Sequence, residues 1–148
     1  MEPVTVTRSI QLPAPAGAMW SSLADGQGLS GWLADEVDLV VARGSSGTAR
    51  DGGVTRRLVV TDVDEGRAVG FVWWDEARPA EASVVAISVA DDEQGCTVTV
   101  TERLLGAGTV AQLGDATVAD LAAVEAGWDR RLRALVAAPE LALAPASV

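Results

Sequence analysis

The stretch that decides the fold is DATVADLAAVEAGWDRRLRALVAA, residues 115–138, the one long segment with a helical period. At ~100° per residue, Val118, Leu121, Val124, Trp128, Leu132 and Leu135 fall within an arc of roughly 120°, while Asp120, Ala123, Arg130 and Ala134 point away. Thr117, three residues before Asp120, is placed to cap the first turn. Arg130, Arg131 and Arg133 lie toward the negative end of the helix dipole, and Pro139 stops the helix. A helix with one apolar stripe needs a broad apolar surface to lie on. The preceding hundred or so residues supply it, because they read mostly as strands.

Working back to the start, residues 4–12 alternate, with Val4, Val6, Ile10 and Leu12 on one parity and Thr5, Thr7, Ser9 and Gln11 on the other. Arg8 falls on the apolar parity. Either the strand bulges there, or the long side chain snorkels back to water, or its charge is directed inward. Pro15 opens a short helix through Met19, Trp20 and Leu23, ended by Asp25-Gly26. Residues 28–34, with Leu29, Trp32 and Leu33, form a second helical piece.

Strands follow at 36–42, 48–50, 54–63, 67–75, 82–90 and 96–104. Gly44-Ser45-Ser46-Gly47, Asp51-Gly52-Gly53, Asp64-Glu65-Gly66, Arg78-Pro79 and residues 91–95 separate them. Connections this short exclude crossover helices, so the sheet is antiparallel and built from sequential hairpins. Two strands are apolar on both parities: Val69, Phe71 and Trp73 against Val72 and Trp74, and Val85, Ile87 and Val89 against Val84 and Ala86. The larger set suits the face gripped by the helix, and the smaller is a candidate surface for a partner subunit. The expected fold class is α+β: a curved antiparallel sheet of six to seven strands wrapped around a long C-terminal helix, with two short helices after the first strand. Residues 1–138 are expected to form one domain and 139–148 a flexible tail.

The 148 residues suit one domain, with 49% hydrophobic and 22% charged residues in the range of folded proteins. A net charge of −10 repels phosphate backbones and the arginines form no stripe in sequence, so nucleic acid is not an expected partner. No basic start followed by an apolar run marks a secretion signal, and no segment is apolar enough to read as a membrane span. Cys96 is the only cysteine, which excludes an intrachain disulfide and agrees with a cytoplasmic location.

The order strand, two short helices, six strands, long helix resembles the helix-grip fold of the START-like, or SRPBCC, superfamily. Within it the wording is similar to the family of homologues of the heat-shock-protein ATPase activator. The matching residues are Pro15 with Met19-Trp20 and Leu23, then Leu29 and Trp32-Leu33; Gly95 with Thr97; and Gly127-Trp128 with Leu132 and Leu135. Ala126 stands where relatives commonly carry a His before the Gly-Trp pair, so no role of that His transfers. The resemblance implies a deep cavity between sheet and long helix that takes apolar molecules. It does not by itself fix a function, because one fold hosts many.

With no His, Lys or Tyr, catalysis would rest on carboxylates, Arg, Ser/Thr or Cys96. One Cys and no His exclude an ordinary zinc site, and no metal or cofactor is expected. Asp62-Val63-Asp64-Glu65 and Asp91-Asp92-Glu93 lack calcium-loop spacing and read as solvated turns. Gly44 to Arg50 lacks the Lys and the strand-to-helix context of a phosphate loop. Cys96 has no activating neighbour in sequence and reads as a small buried hydrophobe. Glu125 is the oddity, since it lies inside the apolar arc with Asp129 along the same edge. Either it faces a cavity, paired with an Arg or a ligand, or the arc tilts and both acids reach water. Glu102, on the parity of Val98 and Val100, and Arg8 are the candidates to share such a polar spot.

The leading expectation is a non-catalytic binder of a small apolar or amphipathic molecule, at a site formed by Trp32, Phe71, Trp73, Leu121, Val124, Glu125 and Trp128. The alternatives are a cyclase- or hydrolase-type enzyme using a cavity carboxylate, and an interaction module acting on a chaperone or regulator. A second copy of the chain is a candidate partner; no catalytic residue is assigned.

Overall fold

The computed structural model describes residues 4–78, 82–104 and 115–136, with side chains for 5–78, 82–104 and 123–136. Seven strands form one antiparallel sheet: β1 (Val4–Leu12), β2 (Glu36–Asp38), β3 (Ser46–Asp51), β4 (Val54–Asp64), β5 (Ala68–Asp75), β6 (Ser83–Asp92) and β7 (Gly95–Leu104). Their spatial order is β1-β7-β6-β5-β4-β3-β2. β2 to β7 are therefore a meander of hairpins, and β1 closes the far edge beside β7. Two short helices, α1 (Ala16–Trp20) and α2 (Gly26–Leu29), carry the chain from one edge of the sheet to the other, and α3 (Asp115–Val136) is the long helix.

Alternation sets which face is inside. Leu58 and Val60 of β4, Val69, Phe71 and Trp73 of β5, Val85, Ile87 and Val89 of β6, and Cys96, Val98 and Val100 of β7 are all buried and share one core with Trp128, Leu132 and Leu135 of α3. A bulge at Thr61 shifts the β4–β5 register between Val60 and Asp62 and reverses the parity of β4, so that Val63 packs against the core. Gly95 opens β7 at a φ of 141° with its Cα tight against the Leu12 carbonyl, where a Cβ would collide. Only glycine fits that junction of β1 and β7.

Three local expectations need correction. The strand expected at 36–42 ends at Asp38, because the chain folds back at Val40, whose carbonyl accepts the Ala42 N–H at 2.9 Å, and Val40 is left exposed. The second helical piece, expected over 28–34, spans Gly26–Leu29, and Asp25 begins it instead of ending the first. Its carboxylate accepts the Gly28 N–H at 2.5 Å as an N-cap. Arg8 lies in regular register with Val100, without a bulge, and its guanidinium reaches the carboxylates of α3. The cap expected at Thr117 and the Val118 contact fall outside the described side chains, and the connection 105–114 and the tail 139–148 lie outside the described residues.

Trp128 is fully buried between α3 and the sheet. Trp128→Ala should therefore lower unfolding free energy by about 3–5 kcal/mol, read as a shifted denaturant midpoint at unchanged slope.

Candidate functional site

The site grows from one buried acid. Glu102 is on the inward parity of β7 and only 6% exposed, so its carboxylate must be compensated by donors. The Nε1–H of Trp73 donates to Oε2 and that of Trp128 to Oε1, each at 2.8 Å, and the Ser83 hydroxyl donates to Oε2 as well. β5, β6, β7 and α3 each contribute one of these four side chains. The two indoles stack with centroids 5.8 Å apart, and Phe71 meets Trp73 edge-on at 5.5 Å.

Above the indoles lies a buried cation. Arg131 is 7% exposed, its guanidinium carbon 4.9 Å from the Trp128 ring centroid and 5.3 Å from that of Trp73. Its Nε–H donates to the Leu33 carbonyl at 2.8 Å, and Asp51 stands 3.8 Å away. Burial is the main force lowering its pKa, to about 10, with Arg56 and Arg130 acting the same way and Asp51 and Glu102 opposing. Arg131 thus remains a cation at neutral pH. A helix side chain leans back over the preceding turn, which brings Arg131 against Gly127; a Cβ there would sit 3.2 Å from a guanidinium nitrogen. The glycine in mid-helix makes room for the arginine four residues on.

Beside this core, a cleft of 490 Å³ opens between sheet and helix. Arg56, Trp73 and Glu102 line it from the sheet, and Val124, Arg130, Arg131 and Arg133 from α3. Arg56 lies 4.8 Å over the Trp73 ring, and Arg130 pairs with Asp51 at 3.1 Å. Among the described residues no group of three His, Cys, Asp or Glu side chains is arranged to hold a metal ion. Cys96 is buried and outside the cleft, and desolvation, then Asp92 and Asp91, raise its pKa.

Of the residues singled out from sequence, Trp73 and Val124 line the cleft, and Trp128 is buried behind it. Phe71 supports Trp73 from within the core. Trp32 is buried elsewhere, its Nε1–H donated to the Ser22 carbonyl at 3.0 Å. The side chain of Leu121 lies outside those described. Glu125 does not line the cleft: its side chain is 43% exposed and pairs with Arg8 at 3.2 Å, and Asp129 pairs with the same guanidinium at 3.2 Å. The buried direction of α3 is rotated from the sequence arc toward Arg131, which carries Glu125 and Asp129 to water. Glu102 and Arg8, considered together in sequence, belong to two separate polar spots. Sequence reasoning missed Arg131, which lies roughly 20° beyond the Val124 edge of the arc. The signal was Gly127 four residues earlier.

The family is now defined. Residues 3–140 match the model of the family described as polyketide cyclase / dehydrase and lipid transport, and the chain belongs to that family, within the SRPBCC superfamily. No curated protein matches the chain. Among solved structures it is similar to SA2116 from Staphylococcus aureus, at 12% identity and a TM-score of 0.77 over 98% of this chain and 97% of that one. MLL2253 from Mesorhizobium loti is 18% identical with a TM-score of 0.74 over 90% and 94% of the two chains. The Aha1 dimer from Colwellia psychrerythraea is 17% identical with a TM-score of 0.72 over 93% and 96%. At these identities the likeness establishes the helix-grip fold, as the resemblance implied.

Glu102→Gln should destabilise the protein by about 2–4 kcal/mol, because an amide turns an N–H toward donors that need an acceptor. Glu125→Gln, which removes a half-exposed ion pair, should change stability by less than about 1 kcal/mol in the same melts. Cys96 should react with a thiol reagent only as fast as the protein unfolds, since its thiol is buried and its pKa is raised.

Proposed function

We propose that the protein binds a small amphipathic molecule in the cleft between sheet and α3, without converting it. The observation that carries this reading is that Glu102, the one carboxylate among the described cleft residues, has both oxygens engaged by Trp73, Trp128 and Ser83. With both oxygens already accepting hydrogen bonds from these side chains, the carboxylate has no free oxygen turned toward a substrate. Trp73 and Val124 offer an apolar wall, arginines a polar rim, and the volume suits a ligand of modest size. The family description, with its lipid transport, is consistent with this class of ligand.

Among the described residues no helix is long and apolar enough to cross a membrane, and with the lone cysteine this supports placing the protein in the cytoplasm. The half-buried outer set of Val72, Trp74 and Val84 supports a second copy as a partner.

Native mass spectrometry of the purified protein should find a co-purifying small molecule and give the subunit count. Calorimetric titration with ten-carbon amphiphiles should give one site per chain. Ala126→Trp, at an exposed position lining the cleft, should weaken binding by about tenfold or more without lowering the melting temperature. Unchanged binding in that variant would place the ligand elsewhere. Conversion of a bound molecule to a product of different mass would overturn the non-catalytic part.

A further inference from the structure

The charge around the cleft runs against the charge of the chain. The protein carries 21 acidic residues against 11 arginines, yet Arg56, Arg130, Arg131 and Arg133 all line this one cleft. Among the described residues two carboxylates face the four guanidinium groups. Glu102 is engaged by the indoles and Ser83, and Asp51 is shared between Arg130 at 3.1 Å and Arg131 at 3.8 Å. Arg56 and Arg133 have no carboxylate partner among the described residues. Arg56 is held over the Trp73 ring instead of being turned out to an acid. Like charges gathered beside a low-dielectric wall repel one another, and a bound anion relieves that repulsion.

We infer that the molecule bound here is an amphipathic carboxylate, its head among Arg56, Arg130 and Arg133 and its apolar body along Trp73 and Val124. The inference rests on the binding reading above and adds the charge of the ligand to it. Guanidinium groups pair with carboxylates through two parallel N–H donors, and a single negative charge on the ligand offsets part of the excess without overfilling the site. A quaternary ammonium head, which would otherwise suit an indole face, is repelled by the same arginines.

The test is calorimetric titration at fixed ionic strength with three probes of one tail length: decanoate, decanol and decyltrimethylammonium. Decanoate should bind about tenfold or more tighter than decanol, and decyltrimethylammonium weakest. In the Arg56→Gln/Arg133→Gln double variant, the advantage of decanoate over decanol should fall to within about threefold. Arg133→Gln alone, at an exposed helix position, should show part of the same loss if the double variant folds poorly. Decanol binding as tightly as decanoate, or an advantage of decanoate that survives loss of both arginines, would overturn the inference while leaving the cleft as a binding site. Failure of all three probes to bind would overturn both readings.

Discussion

Burying the Glu102 carboxylate is costly unless its oxygens are satisfied, and the three donors that satisfy it come from three other elements. Trp73 reaches it from β5, Ser83 from β6 and Trp128 from α3, so the acid ties the middle of the sheet to the long helix. Apolar packing alone would tolerate small slides of α3 along the sheet, because hydrophobic contact is non-directional. The Trp128 hydrogen bond is directional and would be lost by a slide of one turn. The polar centre therefore gives a helix held mainly by hydrophobic packing one preferred seat.

Arg131 extends that constraint outward. Through the Leu33 carbonyl it ties α3 to the segment after α2, and through Asp51 it approaches β3. Two buried charges of opposite sign thus share the same pair of indoles, the anion at their N–H edges and the cation over their faces. Tryptophan suits both tasks, because its indole carries an N–H donor at one edge and a negative π face. Phenylalanine could serve only the cation. This gives a physical reason for Trp at both positions that burial of apolar area does not.

The fold was readable because each element announces itself locally. Period-two alternation marks the strands, a single period of 3.6 marks α3, and glycines and aspartates mark the reversals. The errors came where two local readings compete. The chain leaves the sheet at Val40 although its alternation continues through Val41, and Asp25 caps the helix after it although Asp-Gly reads equally well as a stop. The site was less legible because contacts far apart in the chain decide it. Glu125 and Arg131 stand at opposite edges of one apolar arc, and the sequence gives no means to choose which edge turns inward. The choice is made by Glu102, 29 residues from Arg131 in the chain, by Leu33, 98 residues away, and by Arg8, which draws Glu125 and Asp129 outward. Parity did single out Glu102, but its partners could be found only in three dimensions.

The cleft also separates two electrostatic scales. A chain of net charge −10 repels an anion at long range, and that repulsion fades beyond about 8–10 Å in physiological salt. The arginines act at contact distance, well inside that length, so salt weakens their pairs less than it weakens the distant repulsion. An anion that reaches the cleft therefore meets a local field of the opposite sign to the one it crossed. Raising the salt concentration from low values first removes the distant repulsion and only later weakens the contact pairs. On the proposed reading, such an arrangement would slow encounter with anions in general and stabilise those that can also bury an apolar body against Trp73 and Val124. Inorganic anions gain only the guanidinium contacts, and neutral amphiphiles gain only the apolar wall. Discrimination would then depend on carrying both features in one molecule.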